Sequence, residues 1–173
     1  PKQIVENDLI YGLKSTGLHS NGYTLIYKIL EKNPIEMQDK ISYDDLICPT
    51  KIYVDEVKQI IRNHGKHVKG FAHITGGGLI DNIPRILDSS HNICIDKLWD
   101  LPNVFKWVYN NSDCTIEDMF HTYNCGIGMV VIMDKEFNDL VIDTDIEMIP
   151  LGKIIRSETP SIVYENFTPL FQN

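Results

Sequence analysis

Apolar residues recur along the chain with two spacings, one typical of strands and one typical of helices. Six runs rich in β-branched and apolar residues are predicted as strands: 8–14, 68–75, 91–96, 129–133, 149–156 and 161–165. The run 129–133 (MVVIM) is almost purely apolar, which is typical of a central strand buried on both faces. We therefore expect a sheet with this segment near its middle.

Segments in which apolar residues have helical spacing lie between the predicted strands. Leu25, Ile26, Ile29 and Leu30 predict a helix over 23–32, which Asn33-Pro34 ends. Further helices are predicted between Pro49 and Gly65, and over 79–87, 102–110, 115–121 and 135–144, whereas 34–48 is predicted as loop with a short helical piece. Thr115 and Asp118 have the spacing of a capping box. Helices that alternate with strands predict an α/β fold, an α-β-α layered domain around a mixed sheet.

The chain is long enough for one sizeable domain, and it shows no linker, repeat or low-complexity segment. We expect residues 1–173 to form a single domain. The sequence begins at Pro1, without Met, and soon enters a strand-like run, so we expect a domain cut from a longer protein or a processed chain. No apolar run approaches the length that spans a bilayer, and no signal segment is recognisable, so no membrane association is expected.

Charge and cysteine content narrow the classes of function. The net charge is −8 and no Lys/Arg cluster is visible, which argues against a general nucleic-acid binder. An anionic small molecule would therefore need local donors such as backbone N–H groups. The four cysteines (Cys48, Cys94, Cys114 and Cys125) are irregularly spaced without a CxxC pair. This pattern predicts reduced thiols in a cytoplasmic protein and no metal site.

Three consecutive glycines stand in the stretch HITGGGLIDNIP, residues 73–84. A strand, a glycine loop and a helix together make an anion site, because the N–H groups of the loop and of the first helical turn converge. The loop is not a Walker loop, because no Gly-Lys-Ser/Thr follows it. It is also not a clean GxGxxG fingerprint. The alternative is a tight, closely packed turn without a ligand, and the pattern alone leaves both interpretations open.

A second strand-to-helix loop, TGLHSNGY, covers residues 16–23. Ser20 or Asn21 is predicted to cap the helix that begins near Tyr23, and His19 is expected at the mouth of the loop. The alternative is that both are caps only and that His19 is a surface residue. If the preceding strands are parallel neighbours, this loop and the glycine loop lie at the same edge of the sheet, where α/β proteins commonly bind ligands.

Two other stretches carry candidate chemistry. In TYNCGIGM (122–129), Gly126 and Gly128 are predicted as a C-cap and a close-approach glycine. Alternatively, Asn124 and Cys125 face a ligand, although nothing near Cys125 in the sequence marks it as a nucleophile. The stretch His64-Gly-Lys-His67 is interpreted as a solvated basic turn near a helix C-terminus rather than as a metal site.

Four blocks of the sequence, in their order, closely resemble the phosphoribosylformylglycinamidine cyclo-ligase family, also called aminoimidazole ribonucleotide synthetase. The blocks are GLHSNGYTLIYKIL, CPTKIYVDEV, FAHITGGGLIDNIPRIL and MFHTYNCGIGMVVIM. The resemblance covers nearly the whole chain but extends only to the family's C-terminal domain. The N-terminal domain, with its DGVGTK-type motif, has no counterpart here. Departures are mild: Cys48 stands where Ala is common, and Lys14-Ser15-Thr16 replaces a smaller run.

The resemblance implies an activity and its partners. The family's complete enzyme uses ATP to activate the formyl amide oxygen of formylglycinamidine ribonucleotide, closes the imidazole ring and releases ADP and phosphate. ATP and Mg²⁺ are held mainly by the N-terminal domain, which also builds a homodimer, so the isolated chain is expected to be inactive. The C-terminal domain is a layered α/β unit, partly ferredoxin-like. The same two-domain architecture recurs in formylglycinamidine ribonucleotide synthetase, selenophosphate synthetase and a hydrogenase-maturation protein.

The resemblance and the loop pattern together predict the residues of the site. His19 and His73 are the candidates for general acid and base, because ring closure moves protons near neutral pH. The predicted substrate- and phosphate-binding residues are Ser20, Asn21, Gly22, Thr75, Gly76, Gly77, Gly78, Asn82 and Asn124. Two other functions stay open: a standalone phosphate- or ribonucleotide-binding module, and a domain of a sibling ATP-dependent enzyme of the same superfamily.

Overall fold

A six-stranded mixed sheet forms the centre of the fold. The computed structural model describes residues 3–36, 39–139, 146–158, 162–164 and 167–171. The strands are β1 (Leu9–Lys14), β2 (Val68–His73), β3 (His91–Ile95), β4 (Ile127–Met133), β5 (Ile149–Arg156) and β6 (Ile162–Tyr164). Their order across the sheet is β2-β4-β1-β5-β3-β6. β3 and β6 are parallel, and the other neighbouring pairs are antiparallel.

Seven α-helices and two 3₁₀ helices connect the strands in the described part of the chain. The α-helices are α1 (Tyr23–Lys32), α2 (Tyr43–Leu46), α3 (Val54–His64), α4 (Gly78–Asn82), α5 (Asn103–Asn110), α6 (Ile116–Thr122) and α7 (Thr168–Phe171). The 3₁₀ helices are Ile83–Ile86 and Lys135–Asp139. Among the described helices, none has the length and apolar character needed to cross a membrane.

Both faces of the sheet are covered, as the apolar run of β4 predicts. Val130 and Ile132 join a core that includes buried residues of α1 and α4–α7. Val131 and Met133 point to the other face, where Ile60 of α3 completes a smaller core. Because neighbouring side chains of a strand alternate between faces, one continuous apolar strand serves both cores. The layered α/β architecture expected from the sequence is confirmed.

Several predicted elements differ from those observed. The helix expected after Pro49 begins only at Val54, and the Pro49 carbonyl instead accepts a hydrogen bond of 2.7 Å from Thr16 Oγ1. The helix predicted over 135–144 is a 3₁₀ helix over Lys135–Asp139, and residues 140–145 lie outside the described residues. The capping box of α6 is present as predicted, with the Thr115 side chain accepting from the Asp118 backbone.

β1 and β2 run in the same direction but are not neighbours, because β4 lies between them and is antiparallel to both. Lys14 at the end of β1 pairs with Ile127, and His73 at the end of β2 pairs with Met129. The condition that the two strands are parallel neighbours is therefore not met. The loops that follow β1 and β2 nevertheless open at the same end of the sheet.

The opposite end of the same three strands is fixed by a buried ion pair. Lys69 Nζ of β2 lies 2.8 Å from Asp8 Oδ1, next to the start of β1, and Asp8 is 1% exposed. The second oxygen of this carboxylate accepts a hydrogen bond of 2.7 Å from Val5 N. A buried carboxylate is tolerated only when it is paired and hydrogen-bonded. The pair thus links β1 and β2 across the end of β4.

Candidate functional site

Three loops meet at the end of the sheet where β1 and β2 finish and β4 begins. We call them the β1 loop (residues 15–22), the β2 loop (residues 74–77) and the β4 loop (residues 123–126). Ser15 N donates to Gly126 O at 2.8 Å, which joins the β1 loop to the β4 loop. Ile74 N donates to Gly128 O at 2.9 Å, which joins the β2 loop to β4. The three loops therefore form one surface.

The β1 loop contains two consecutive non-glycine residues in the left-handed region. His19 has φ of 54° and Ser20 has φ of 63°, and Asn21 N donates to Leu18 O at 3.4 Å. Positive φ at both central residues is the geometry of a type I′ turn. Each such residue costs about 1–2 kcal/mol. Strain of this kind is retained where surrounding contacts enforce it, and it clusters at functional sites.

The predicted helix cap in this loop is wrong. Gly22, with φ of 74°, occupies the N-cap position of α1, and no side chain caps the helix. Asn21 Nδ2 instead donates to His19 O at 3.1 Å, and Ser20 Oγ lies 3.4 Å from Thr50 Oγ1. Gly22 packs against Tyr123, whose hydroxyl donates to the Gly22 carbonyl at 3.0 Å. Gly22 is thus a packing residue, while Ser20 stays exposed at the surface.

His19 lies beneath the β1 loop and is only 5% exposed. The backbone N–H groups of Thr16 and Lys51 donate to its Nε2, at 3.1 and 3.3 Å. Nε2 is therefore an acceptor, and the proton of the neutral ring lies on Nδ1, which is buried without a partner among the described residues. Burial, with His73 and Lys51 nearby, lowers the pKa of His19 to about 4. The ring is neutral at pH 7 and positions the loop.

The lowered pKa of His19 predicts a pH dependence of stability. Between about pH 6.5 and pH 4, His19 is protonated in the unfolded chain but neutral in the folded one. The free energy of unfolding is therefore unaffected by this difference above pH 6.5 and falls as the pH is lowered towards 4. Over this interval we expect the free energy of unfolding of the wild type to fall by at most about 3 kcal/mol more than that of His19→Gln. Urea unfolding at both pH values measures it, with exposed His121→Gln as the control. A difference between wild type and His19→Gln that is independent of pH would contradict the assignment.

Asn82 organises the β2 loop from inside. It is 4% exposed, and its Nδ2 donates to the carbonyls of Gly78 at 2.7 Å, Gly76 at 3.2 Å and Thr75 at 3.3 Å. Its Oδ1 accepts from Thr75 Oγ1 at 3.1 Å. These contacts use the Asn82 amide and carbonyl oxygens of the loop, not the backbone N–H groups of Gly76 and Gly77 that are predicted to hold a phosphate. Asn82 shapes the backbone of the loop, and the exposed Thr75 lies beside it.

The three glycines of this stretch have different surroundings. Gly77 and Gly78 have φ of 94° and 57°, so both need the conformational freedom of glycine. Gly76 has no such requirement, and a Cβ added there would have Asn21 Oδ1 of the β1 loop as its nearest atom, at 3.6 Å. The carboxylate of Asp81, in the first turn of α4, lies beside Gly77. Packing thus accounts for Gly77 and Gly78, whereas Gly76 faces the β1 loop.

The His73 side chain is exposed at this surface. Its ring lies 5.9 Å from the ring of Tyr53, which in turn lies 6.1 Å from the ring of His19. The Tyr53 hydroxyl donates to Lys14 O at 2.9 Å, and burial raises the pKa of Tyr53, so the phenol stays protonated. Tyr53 packs so closely over Gly128 that a side chain there would overlap its hydroxyl, which confirms the close-approach prediction for Gly128.

Sequence reasoning assigned no role to Tyr53, although it stands in the block CPTKIYVDEV. Together with His73 it borders an apolar cavity of about 500 Å³, whose other apolar side chains are Ile52, Val54, Val57 and Met129. The signal available in the sequence was the position of an aromatic residue directly before α3. Its contacts with β1, β4 and both histidines depend on the tertiary fold.

Asn124 and Cys125 are both fully buried beneath the surface formed by the loops. Asn124 is fully buried, with Oδ1 accepting from Ser15 Oγ at 2.9 Å and from Gly126 N at 2.8 Å, while Nδ2 donates to Gly17 O at 2.8 Å. Asn124 therefore joins the β1 loop to the β4 loop, and its predicted role in orienting a ligand stays a prediction. Burial also raises the pKa of the Cys125 thiol, which makes it a poor nucleophile. The C-cap of α6 is Tyr123 rather than Gly126.

The interpretation of His64–His67 as a solvated turn is also wrong. His67 is 6% exposed, and its Nδ1 lies 2.9 Å from Asp134 Oδ1, just after β4. His64 is half-buried against Phe137. This cluster stands at the end of the sheet opposite to the three loops.

Known proteins resemble this sequence over most of its length. The profile of the family described as AIR synthase related protein, C-terminal domain, matches residues 5–161. Phosphoribosylformylglycinamidine cyclo-ligase of Prochlorococcus marinus (strain MIT 9312) is 38% identical over 172 residues, which are 93% of this chain and 49% of that protein. The cyclo-ligase of Chromobacterium violaceum is 41% identical over 141 residues, or 78% of this chain and 40% of that protein.

A larger relative shows the same match within a multifunctional protein. The trifunctional purine biosynthetic protein adenosine-3 of Gallus gallus is 38% identical over 149 residues, which are 82% of this chain and 15% of that protein. The chain thus spans about half the length of its Prochlorococcus relative and a smaller share of the others. Because the family profile covers nearly the whole sequence, the chain belongs to the family of AIR synthase related protein C-terminal domains.

Proposed function

We propose that residues 1–173 form the C-terminal domain of a phosphoribosylformylglycinamidine cyclo-ligase. This enzyme converts formylglycinamidine ribonucleotide and ATP into aminoimidazole ribonucleotide, ADP and phosphate, in purine biosynthesis in the cytoplasm. The observation that carries the proposal is the convergence of the β1 and β2 loops at one end of the sheet, with exposed His73 at their border. The cyclo-ligase relatives named above support it.

In the proposed reaction, the γ-phosphoryl group of ATP is transferred to the formyl amide oxygen of the substrate. An amidine nitrogen then attacks the same carbon, so that a C–N bond forms and the C–O bond to the departing phosphate breaks. The attacking nitrogen must lose a proton, and a positioned imidazole is a suitable base near neutral pH. His73 is exposed at the site, whereas His19 is buried and its Nε2 already accepts two N–H groups. We therefore assign the proton transfer to His73 and a positioning role to His19.

The remaining roles divide between this chain and a second, N-terminal domain. Gly76 and Asn21 lie on the facing sides of the two loops, and Ser20 is exposed next to Asn21; all three are proposed to contact the substrate or its phosphate. ATP and Mg²⁺ are proposed to bind mainly to the N-terminal domain, which also forms the homodimer. The sequence here lacks a Gly-Lys-Ser/Thr phosphate loop, so it offers no Walker-type site for the triphosphate.

A chimera tests the proposal. The N-terminal half of the Prochlorococcus relative is joined to residues 1–173, and ATP-dependent formation of aminoimidazole ribonucleotide is followed by mass spectrometry. We expect product from this two-domain chimera and none from either half alone. A folded chimera that binds ATP without forming product contradicts the proposed activity. Turnover by residues 1–173 alone contradicts the division of roles between the domains.

A standalone ribonucleotide-binding module is the second candidate. The observation that favours the module is the strained β1 loop, which is formed by residues of this chain alone. Submicromolar binding of the ribonucleotide substrate to residues 1–173, measured by calorimetry, together with an inactive chimera, would favour the module. Weak binding with an active chimera would favour the enzyme domain.

A further inference from the structure

Three side chains that can bind a metal ion converge far from the three loops. His67 precedes β2, Asp134 follows β4, and Glu136 lies in the 3₁₀ helix that comes next. One nitrogen or oxygen from each of them lies within 4.8 Å of the others. Because β2 is six residues long, the cluster is about 20 Å from His73. The proposed reaction does not use these residues.

The distances within the cluster suit a shared ion. His67 Nδ1 lies 2.9 Å from Asp134 Oδ1 and 3.1 Å from Asp134 Oδ2. Two ligands that each stand about 2.1 Å from Zn²⁺, at angles between 90° and tetrahedral, are separated by about 3.0–3.4 Å. The imidazole and the Asp134 carboxylate therefore already have nearly the required spacing. Glu136 needs only a side-chain rotation, because it is exposed.

The backbone and the surrounding core hold these ligands in place. Asp134 N donates to His67 O at 2.8 Å, and Glu136 N donates to Asp134 Oδ1 at 3.1 Å. The His67 ring is buried beside Phe137, with ring centroids 6.0 Å apart. Its Nε2 is buried without a hydrogen-bond partner among the described residues, so the polar contacts of the ring lie on its Nδ1 side, towards the carboxylate.

The geometry points to a divalent-metal site formed by His67, Asp134 and Glu136, with Zn²⁺ as the favoured ion. One imidazole and two carboxylates suit Zn²⁺, whereas Mg²⁺ and Ca²⁺ prefer oxygen ligands only. Three protein ligands leave a position for water, and the exposed Glu136 side gives access from solvent. Metal binding at Nδ1 requires the tautomer of the neutral ring that carries its proton on Nε2, and it joins the turn before β2 to the turn after β4. The site therefore has a structural role, independent of the proposed reaction.

Zinc binding to residues 1–173 tests the inference. The chain is freed of metal with a chelator and titrated with Zn²⁺ by calorimetry, with Mg²⁺ as the comparison ion. We expect one Zn²⁺ per chain and a higher thermal midpoint, with no response to Mg²⁺. Glu136→Gln, an exposed substitution that leaves the core intact, should weaken Zn²⁺ binding by at least about tenfold. In NMR spectra of wild type, the His67 ring nitrogens should shift on addition of zinc.

Matched variants separate this site from adventitious binding. Glu117→Gln removes another exposed carboxylate, and His121→Gln disrupts a different histidine–carboxylate pair, an exposed one in which Nδ1 lies 3.5 Å from Asp81 Oδ1. Both should bind Zn²⁺ as wild type does. The inference is overturned if wild type binds no Zn²⁺, if Glu136→Gln binds it unchanged, or if His121→Gln abolishes binding. None of these results bears on the proposed cyclo-ligase activity.

Discussion

Gly78→Ala is expected to lower the free energy of unfolding by at least about 3 kcal/mol. Gly78 has φ of 57°, where an L side chain is strained, and a Cβ at this position would overlap the Phe120 carbonyl. It would also lie 2.8 Å from the Tyr123 carbonyl oxygen. Both obstacles are backbone atoms at the end of α6, which cannot rotate away as a flexible side chain does. Urea unfolding of the variant measures the loss.

Gly76→Ala is the matched control for this loss. Its backbone does not need glycine, and the nearest atom to the new methyl group is Asn21 Oδ1 at 3.6 Å, an ordinary contact. We expect a change in the free energy of unfolding of about 0.5 kcal/mol or less. Equal destabilisation by the two substitutions would show that the loop is not packed as described. Because Gly76→Ala leaves the fold intact, its effect on turnover of the two-domain chimera reports on ligand contact.

His73→Ala is expected to lower kcat of the two-domain chimera by about 10²–10³-fold. His73 is the exposed histidine at the border of the two loops, and the proposed ring closure needs a group that takes a proton from the attacking nitrogen. Since the side chain is exposed, the substitution should leave the free energy of unfolding almost unchanged. Steady-state rates measured from pH 5 to pH 9 test the role, because removing the base should also change the acidic limb of the profile.

His121→Ala is the comparison for loss of an exposed histidine near the loops: His121 lies in the last turn of α6 and its Nδ1 is 3.5 Å from Asp81 Oδ1, and the proposed reaction gives it no role. Its kcat should stay close to that of the unsubstituted chimera. If His73→Ala and His121→Ala have similar rates, His73 is not the base. If kcat falls but the pH profile keeps its shape, His73 positions the substrate rather than transferring the proton.

Local sequence patterns predicted the strands, helices and caps that are determined by residues close together in the sequence. The apolar run of β4 predicted a strand buried on both faces, and two cores meet on it. The apolar spacing in 23–32 predicted α1 to the residue, since Asn33-Pro34 cannot continue a helix. The capping box of Thr115 and Asp118 is another contact of this kind, because both partners lie within one turn.

Contacts between distant segments were not predictable in the same way. The partner of His67 is Asp134, 67 residues further along the chain, and without this contact the histidine is interpreted as part of a solvated turn. The position of β4 between β1 and β2 is a long-range pairing that no local spacing encodes.

The same limit applies to the site. The resemblance predicts that Asn124 orients a ligand, whereas its partners Ser15 and Gly17 lie in another loop and could not be predicted from its neighbours in the sequence. His19 was expected to exchange protons, but the N–H groups of Thr16 and Lys51 use its Nε2. The sequence thus predicted the loops that converge in the candidate site, whereas the division between residues that shape these loops and residues exposed on them depends on the fold.

The placement of β4 between β1 and β2 sets a fixed length across the site. The two loops leave the sheet from strands that stand two strand spacings apart, about 10 Å, and backbone hydrogen bonds of β4 hold both strands. The span between the loops is therefore set by the sheet rather than by the loops themselves. A ligand that contacts both loops has to match this length, so the backbone of the sheet limits the size of the ligand independently of the side chains in the loops.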